Sequence, residues 1–491
     1  MDVKLKRACD VLVVGGGNAG LVAAIEARNA GANVIVLEKS PRKARGGNSR
    51  FSYGDFRVAT ENRNEIDVLL QGADLPKGGV EIEPYGKDDF YNQVMRVSEG
   101  WADKRLTEIF VMKSYDTLLW MKQQGLKWDI DPIHAYKRGD GLFYPSTQPF
   151  LQASGSGEGL VEQLYGIVEK RGIDVLYDTA ARELIQNEEG RVIGVFAKQI
   201  EGHIRIDAGN IILACGGFQA SPQKRRAYLG ESLDLIKLRG TRYNTGEGLD
   251  MAIGIGAQAA GHWGGFHASP VSEDSPMVEA ESANSQRYSY LYGVMVNRDG
   301  KRFVDEGENF FSYTYAKFGK EILKQPGGVA FQIFDSKVFP VLRVEYQDAL
   351  RVESESLEEL AEELDVNVRQ FQETIREFNS AVLDEKPFVP YERDGRCTRG
   401  LTPEKTNWAQ RIDKPPYRAY AVVCGLTMTY GGLKTNEKAQ VMDTTERPIK
   451  GLYAVGEITG GFFYFNYVGA AGLTRGAVMG RIAGAEAASN L

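Results

Sequence analysis

Cysteine is scarce in this chain: Cys9, Cys215, Cys397 and Cys424 are the only four in 491 residues, far apart and with no CxxC pair. That excludes a disulfide framework and a thiolate metal knuckle, and it suits a reducing cytoplasm. Long apolar runs are missing too. The opening stretch, MDVKLKRACDVLVVGGG, holds a run far shorter than the roughly 18 residues of a membrane span. It also lacks a small-residue cleavage site, so neither membrane insertion nor a secretory signal is expected. Positive charge is not in excess: 59 basic residues face 66 acidic ones for a net −7, which argues against nucleic acid as a partner. With 43% hydrophobic and 25% charged residues the chain is neither disordered nor fibrous, and its length suggests roughly three domains. Glycine, by contrast, is abundant. Many of the 56 glycines cluster at the ends of apolar strands, where bare backbone can approach a ligand.

The first forty residues read as a βαβ unit. An apolar strand over 10–14 leads into the turn Gly15-Gly-Gly17-Asn18-Ala19-Gly20, a helix is expected over 21–30, and a second strand over 33–37 ends at Glu38. This is the dinucleotide fingerprint: glycines for a tight turn, for a pyrophosphate and for close helix packing, and a terminal acid for ribose hydroxyls. Further along, a helix is expected over 159–171, a strand over 173–177, a turn over 178–181 and a β-meander over 191–196 and 204–208. Apolar strands over 210–215 and 451–455 and a helix over 473–488 complete the pattern. Together they predict an α/β fold (α+β overall): a Rossmann-like domain built from both chain ends, residues 1–254 and 416–491. A capping or substrate domain, residues 255–415, is inserted between them. Within the insert, Ser356-Leu-Glu-Glu359 and Asn367-Val-Arg-Gln370 read as capping boxes.

Six landmarks in order carry a resemblance: Gly15 to Gly20, Gly46-Gly47-Asn48-Ser49, Ala214-Cys-Gly216-Gly217, Thr245-Gly246-Glu247-Gly248, Gly300-Lys-Arg-Phe-Val-Asp-Glu306, and Gly456-Glu457-Ile-Thr-Gly-Gly461. The chain resembles the flavoprotein family of fumarate reductases and succinate dehydrogenases, which includes the 3-ketosteroid dehydrogenases, with its nearest likeness to the tricarballylate dehydrogenase branch. The resemblance implies FAD as resident cofactor. It assigns Gly15, Gly17, Asn18, Ala19, Gly20, Glu38 and Lys39 to the adenosine and pyrophosphate, and Gly46, Gly47, Asn48 and Ser49 to the loop along pyrophosphate and isoalloxazine. Ala181, Gly216, Gly217, Gly246, Glu247, Gly248 and Gly456 supply further contacts, and Glu457 takes the ribityl chain. Gly472, Leu473 and Thr474 open the last helix, whose positive end would face flavin N1 and O2. Covalent members use a histidine in the loop that here reads Asn48-Ser-Arg-Phe-Ser52, so noncovalent FAD is expected.

Departures from the family pattern decide the chemistry. His267 matches one substrate histidine, but Phe310-Phe311, Met428 and Tyr467 stand where the proton-donating arginine, the second histidine and the carboxylate-clamping arginine are expected. An aromatic ring cannot replace the arginine fork on a carboxylate, which disfavours fumarate and succinate. Arg242, Arg287 and Arg475 remain as arginines able to hold an acid group or to serve structural pairs. Tyr467-Val-Gly-Ala-Ala471 instead looks like the ketosteroid dehydrogenase pattern, whose tyrosine hydroxyl and a backbone N–H polarise a ketone. Tyr467 is thus either such a donor or a core aromatic, and His267 is open in the same way. Tyr430, Tyr290, Tyr292 and Tyr53 are the candidate proton carriers.

The expectation is an FAD-dependent dehydrogenase or desaturase passing hydride between flavin N5 and a C–C bond beside a carbonyl or carboxyl of a small molecule. The alternatives are the reverse ene reduction and a non-catalytic FAD-binding subunit. An NAD enzyme would need a second fingerprint that the chain does not show. Without a CxxCH haem motif, electrons must pass to or from a separate partner.

Overall fold

The computed structural model describes residues 3–146, 148–280 and 285–491, which fall into two compact units: residues 1–267 with 427–491, and residues 268–426. The first is built on a parallel sheet. Strand β1 (Val3–Val14) lies between β2 (Val34–Leu37) and the strand Gly202–Leu213; β2 pairs onward with Asp174–Leu176. The strand Pro448–Ala454 adds in parallel to Ile211–Leu213, so the C-terminal part of the chain completes the sheet. Val11, Leu12, Val13, Val36 and Leu213 are buried because both faces are covered, which is why these strands read as unbroken apolar runs.

Helix α1 (Asn18–Asn29) begins three residues before the expected start, since Gly17 takes an extended conformation and serves as its N-cap. It is buried on nearly every side, between the sheet and the C-terminal helix Ala471–Ser489. Gly480 and Gly484, four residues apart on one face of that helix, allow the contact: a Cβ there would sit 2.5 Å from Ala19 O and 2.4 Å from Ala23 O. Two sequence expectations are corrected. Residues 204–208 and 210–215 are not separate strands; Gly202–Leu213 runs through, its first half antiparallel to Val192–Gln199 and its second beside Pro448–Ala454. The turn expected at 178–181 gives way at Ala180, where the strand Ala180–Gln186 starts by pairing with Val192–Gln199.

The second unit carries an antiparallel sheet of Val294–Asn297, Val329–Asp335, the start of the long strand Tyr417–Leu433, and Val352–Ser354. Helix Val368–Ala381 buries Phe371, Ile375 and Phe378 in its core, the face expected from their spacing. Both N-caps form, Ser356 Oγ accepting from Glu359 N–H and Asn367 Oδ1 from Gln370 N–H, but neither box closes. Ser356 N–H goes to Ser354 Oγ and Asn367 N–H to Arg298 O. The 300–306 landmark proves internal here: Arg302 pairs with fully buried Glu306 at 2.6 Å, and buried Lys405 Nζ donates to Leu291 O and Gly293 O.

Candidate cofactor and active site

The three fingerprint glycines are bare for different reasons. A Cβ on Gly15 would sit 2.4 Å from Ala214 O, and one on Gly20 2.0 Å from Gly15 O, so the packing of strand on helix forbids both. Gly17 is different: nothing lies nearer its Cβ position than 3.6 Å, and its φ of −83° suits any residue. Its bare Cα thus leaves room for a ligand at the point where α1 presents its first N–H groups. Glu38 stands beside it, with Oε2 accepting from Gly16 N–H at 3.1 Å and Oε1 from Ser40 N–H at 2.8 Å. Burial pushes its carboxyl up, against the pull of these bonds and of Lys39.

Other landmarks gather around this turn. Lys39 Nζ pairs with Glu247 at 2.7 Å and tethers the 245–248 segment, so its ammonium is engaged within the protein. Burial works against Glu247 as an anion, yet Lys39 and Thr245 hold its carboxyl below the ordinary range. Asn18 N–H donates to Ser49 Oγ at 3.0 Å, while Asn48 donates to Thr427 O and accepts from Thr241 N–H. Gly46 has a φ of 106° and packs on Val161; Gly47, at 55°, faces open space. Ala181 enters its strand just after Thr179 N–H bonds Glu38 O. Gly246 packs on Phe218 and Lys224, Gly248 on Cys215, and Gly456 on Ala19.

A second polar cluster surrounds Glu457, whose carboxylate accepts from Thr429 N–H (3.0 Å), Gln219 Nε2 (3.1 Å) and Asn244 Nδ2 (3.2 Å). Burial raises its pKa to about 7, although these donors and the nearby Arg475 oppose the rise. Thr429 Oγ1, Glu457 Oε1 and Gln219 Oε1 all converge on the bare Cα of Gly217. Gln219 Oε1, Thr429 Oγ1 and Asn18 Oδ1 are buried without a hydrogen-bond partner among the described residues. Leaving such atoms unmade is costly, and hydroxyl groups of a bound chain would satisfy them. Gly17, Ser49, Gly216, Thr427, Glu457 and Gly472 are each half-buried, marking a track of partly exposed residues from the fingerprint turn to the head of the C-terminal helix. The donor set, the bare glycine and the orphaned oxygens fit a pyrophosphate and a polyhydroxylated chain.

At the far end of the track His267 packs edge-on against Tyr467 with ring centroids 4.6 Å apart; Phe463 lies 5.0 Å from Tyr467 and 6.2 Å from Tyr430. All four are buried. The C-terminal helix starts at Ala471, two residues earlier than expected. Its Gly472 N–H donates to Tyr467 Oη at 2.8 Å, Leu473 O accepts from Asn18 Nδ2, and Thr474 Oγ1 donates to Arg57 O. Burial raises the Tyr467 phenol above its ordinary pKa, with Gly472 N–H, Arg475, Arg57 and Arg239 pulling the other way. The phenol therefore accepts one bond and keeps its O–H proton to give. Burial likewise drives Tyr430 well up.

Tyr290 belongs to the second unit, where its hydroxyl bonds Thr314 Oγ1 at 2.8 Å and Phe318 packs on its ring, as in a core residue. Phe311 stacks on Tyr288 beneath Arg343, also in that unit. Among the arginines weighed from sequence, Arg475 reaches the Tyr467 group: it is 4% exposed, lies over Phe462 and Phe463, and its Nε has no partner among the described residues. Sequence reading missed Arg57 and Arg239. The available signal at Arg57 was a charge inside the buried apolar run 56–59.

A family model described as an FAD binding domain matches residues 10–473. The chain is 30% identical over 485 residues to a probable fumarate reductase, Ifc3, of Shewanella frigidimarina (strain NCIMB 400), covering 98% of this chain and 75% of that protein. Its fold is similar to the open conformation of a flavocytochrome c3 fumarate reductase (TM-score 0.75, 26% identity, 99% of this chain and 79% of that one). It is also similar in fold to a 3-ketosteroid Δ1-dehydrogenase from Sterolibacterium denitrificans (TM-score 0.76, 20% identity, 99% and 100%).

Proposed function

The chain belongs to the FAD binding domain family, and from that premise we propose that it is an oxidoreductase acting on a carbon–carbon bond beside a carbonyl or carboxyl group of a small molecule. FAD, when bound, supplies two-electron hydride transfer at its N5. The polypeptide does the rest. The Gly17 turn and the α1 terminus hold the pyrophosphate, Glu38 the adenosine ribose, and Glu457 with Gln219 and Thr429 the hydroxylated chain. The cofactor is held noncovalently, since Asn48-Ser-Arg-Phe-Ser52 offers no histidine for attachment.

Tyr467 carries the catalytic reading: its hydroxyl accepts from Gly472 N–H, so its own proton is free to point at a substrate oxygen. Negative charge developing on that oxygen is stabilised by the phenol and by the positive charge of buried Arg475 beside it. A donor of this kind contributes about 3 kcal/mol to the transition state. His267 fixes the ring by edge packing, and Tyr430 stands as proton carrier. With Phe311, Met428 and Tyr467 in place of polar anchors, the substrate carries one carbonyl or carboxyl group rather than the two carboxylates of fumarate. The reductase names among the relatives, a vinyl phenol reductase and a urocanate reductase included, favour reduction of an alkene as the working direction. Electrons pass through a separate partner, and the four unpaired cysteines suit the cytoplasm. Among the described residues no helix is long and apolar enough to cross a membrane.

Anaerobic mixing tests this. Reduced protein should be reoxidised by an enone or by an unsaturated monocarboxylic acid, and oxidised protein bleached by the saturated counterpart if the enzyme runs as a desaturase. A protein that does neither with any such pair is not this enzyme. Tyr467→Phe should keep its flavin and lose on the order of 10²-fold in rate; unchanged turnover removes Tyr467 from the mechanism.

A further inference from the structure

Tyr467 sits on a turn that carries backbone strain. Ala470, which caps the C-terminal helix, has a φ of 66°, a left-handed conformation that a side chain disfavours by about 1 kcal/mol or more. Besides local bonds from Ala471 N–H to Val468 O and from Thr474 Oγ1 to Ala470 O, three hydrogen bonds fasten this turn to one residue far away in sequence. Arg57 N–H donates to Ala470 O at 3.2 Å, Arg57 Nε donates to Gly469 O at 3.1 Å, and Thr474 Oγ1 donates to Arg57 O at 2.8 Å. Arg57 is 1% exposed, its guanidinium lies over the Tyr85 ring at 5.2 Å, and Nη1 reaches Ser146 O at 3.4 Å. Burying a guanidinium costs free energy, part of which its hydrogen bonds to backbone carbonyls return. A side chain needed merely to fill this space would be apolar.

We infer that Arg57 is a positioning residue: it pins the Gly469–Ala470 turn and so fixes the Tyr467 hydroxyl against the Gly472 N–H, in the geometry from which it meets substrate. The inference rests on the proposed role of Tyr467. The guanidinium supplies one of the three bonds and the only charge among them; the backbone of residue 57 supplies the other two whatever its side chain. Loss of the side chain therefore loosens the turn without releasing it. The hydroxyl then samples positions too far from the developing oxyanion, which penalises the transition state more than ground-state binding.

Arg57→Met, Arg57→Lys, Tyr467→Phe and the two double variants test this in the flavin-loaded protein. Arg57→Met should lower kcat by roughly 10- to 100-fold with KM within about threefold, the pattern of a transition-state interaction. Arg57→Lys, which keeps the charge and one donor, should recover part of that loss. In the Tyr467→Phe background neither change should lower the rate further, because the positioned group is already gone. Amide exchange of the segment 467–474 should quicken in Arg57→Met and less so in Arg57→Lys. Additive losses, unchanged protection of 467–474, or a raised KM with intact kcat would each overturn the inference; the last would make Arg57 a direct substrate ligand. Full activity of Tyr467→Phe would sink the Tyr467 reading and this one with it, and is distinguished by that single variant. If Arg57→Met fails to take up flavin, the Arg57→Lys pair with and without Tyr467→Phe decides the matter by the same non-additivity.

Discussion

Replacing Glu457 with glutamine isolates the electrostatic cost of the polar cluster at the middle of the track. The carboxyl titrates at about 7 in the folded protein against an ordinary 4.5, with burial as the main cause. Between those two values the folded chain keeps a proton that the unfolded chain has released. Stability from this group is thus fully present below pH 4.5 and is lost as pH rises through about 7. The distance from 4.5 to about 7, at about 1.4 kcal/mol per pH unit, corresponds to about 3–4 kcal/mol. Water on the open side of Glu457 screens part of it, leaving between about 1 and 3 kcal/mol. Glutamine keeps the size and an acceptor oxygen but cannot ionise. In flavin-stripped protein, the urea stability of wild type minus that of Glu457→Gln should fall by that amount between pH 4.5 and 8 and stay level above. Taking the difference cancels the other carboxyl groups. An infrared band of a protonated carboxyl that disappears near pH 7 in wild type, and is missing in the variant, would accompany it. A flat difference across the range would refute the reasoning: Glu457 would then be as well hydrated as a surface acid.

Gly17→Ala and Gly20→Ala should part company. The first leaves stability within about 0.5 kcal/mol of wild type but weakens FAD binding at least about tenfold, measured by flavin fluorescence quenching. The second, whose methyl would lie 2.0 Å from Gly15 O, costs roughly 1–3 kcal/mol in urea unfolding. Equal behaviour of the two would remove the argument for a ligand at Gly17. Gly480→Leu should destabilise even the flavin-stripped protein, because Ala19 O blocks the new side chain; a variant as stable as wild type would mean that the two helices separate freely. Acid denaturation should release free yellow FAD, and flavin that stays with the precipitated polypeptide would contradict noncovalent binding.

What the sequence by itself determined is local in origin. The βαβ unit, its glycine turn and Glu38 are contiguous, so spacing alone exposed them; continuous apolar runs at 10–14, 33–37 and 451–455 announced strands covered on both faces. Boundaries slipped where a neighbour's hydrogen bonds overrode local preference, as at Ala180, or where caps were satisfied from outside the expected box, as at Ser356. The tertiary structure decided what depends on residues distant in the chain. It showed that Gly20 is bare for Gly15 O while Gly17 is bare for nothing in the protein, since no sequence records which atom lies opposite a missing Cβ. It joined the 469–470 turn to Arg57, about four hundred residues away, in a unit whose main sheet is closed by strands from both chain ends, Val3–Val14 and Pro448–Ala454, each pairing in parallel with Gly202–Leu213.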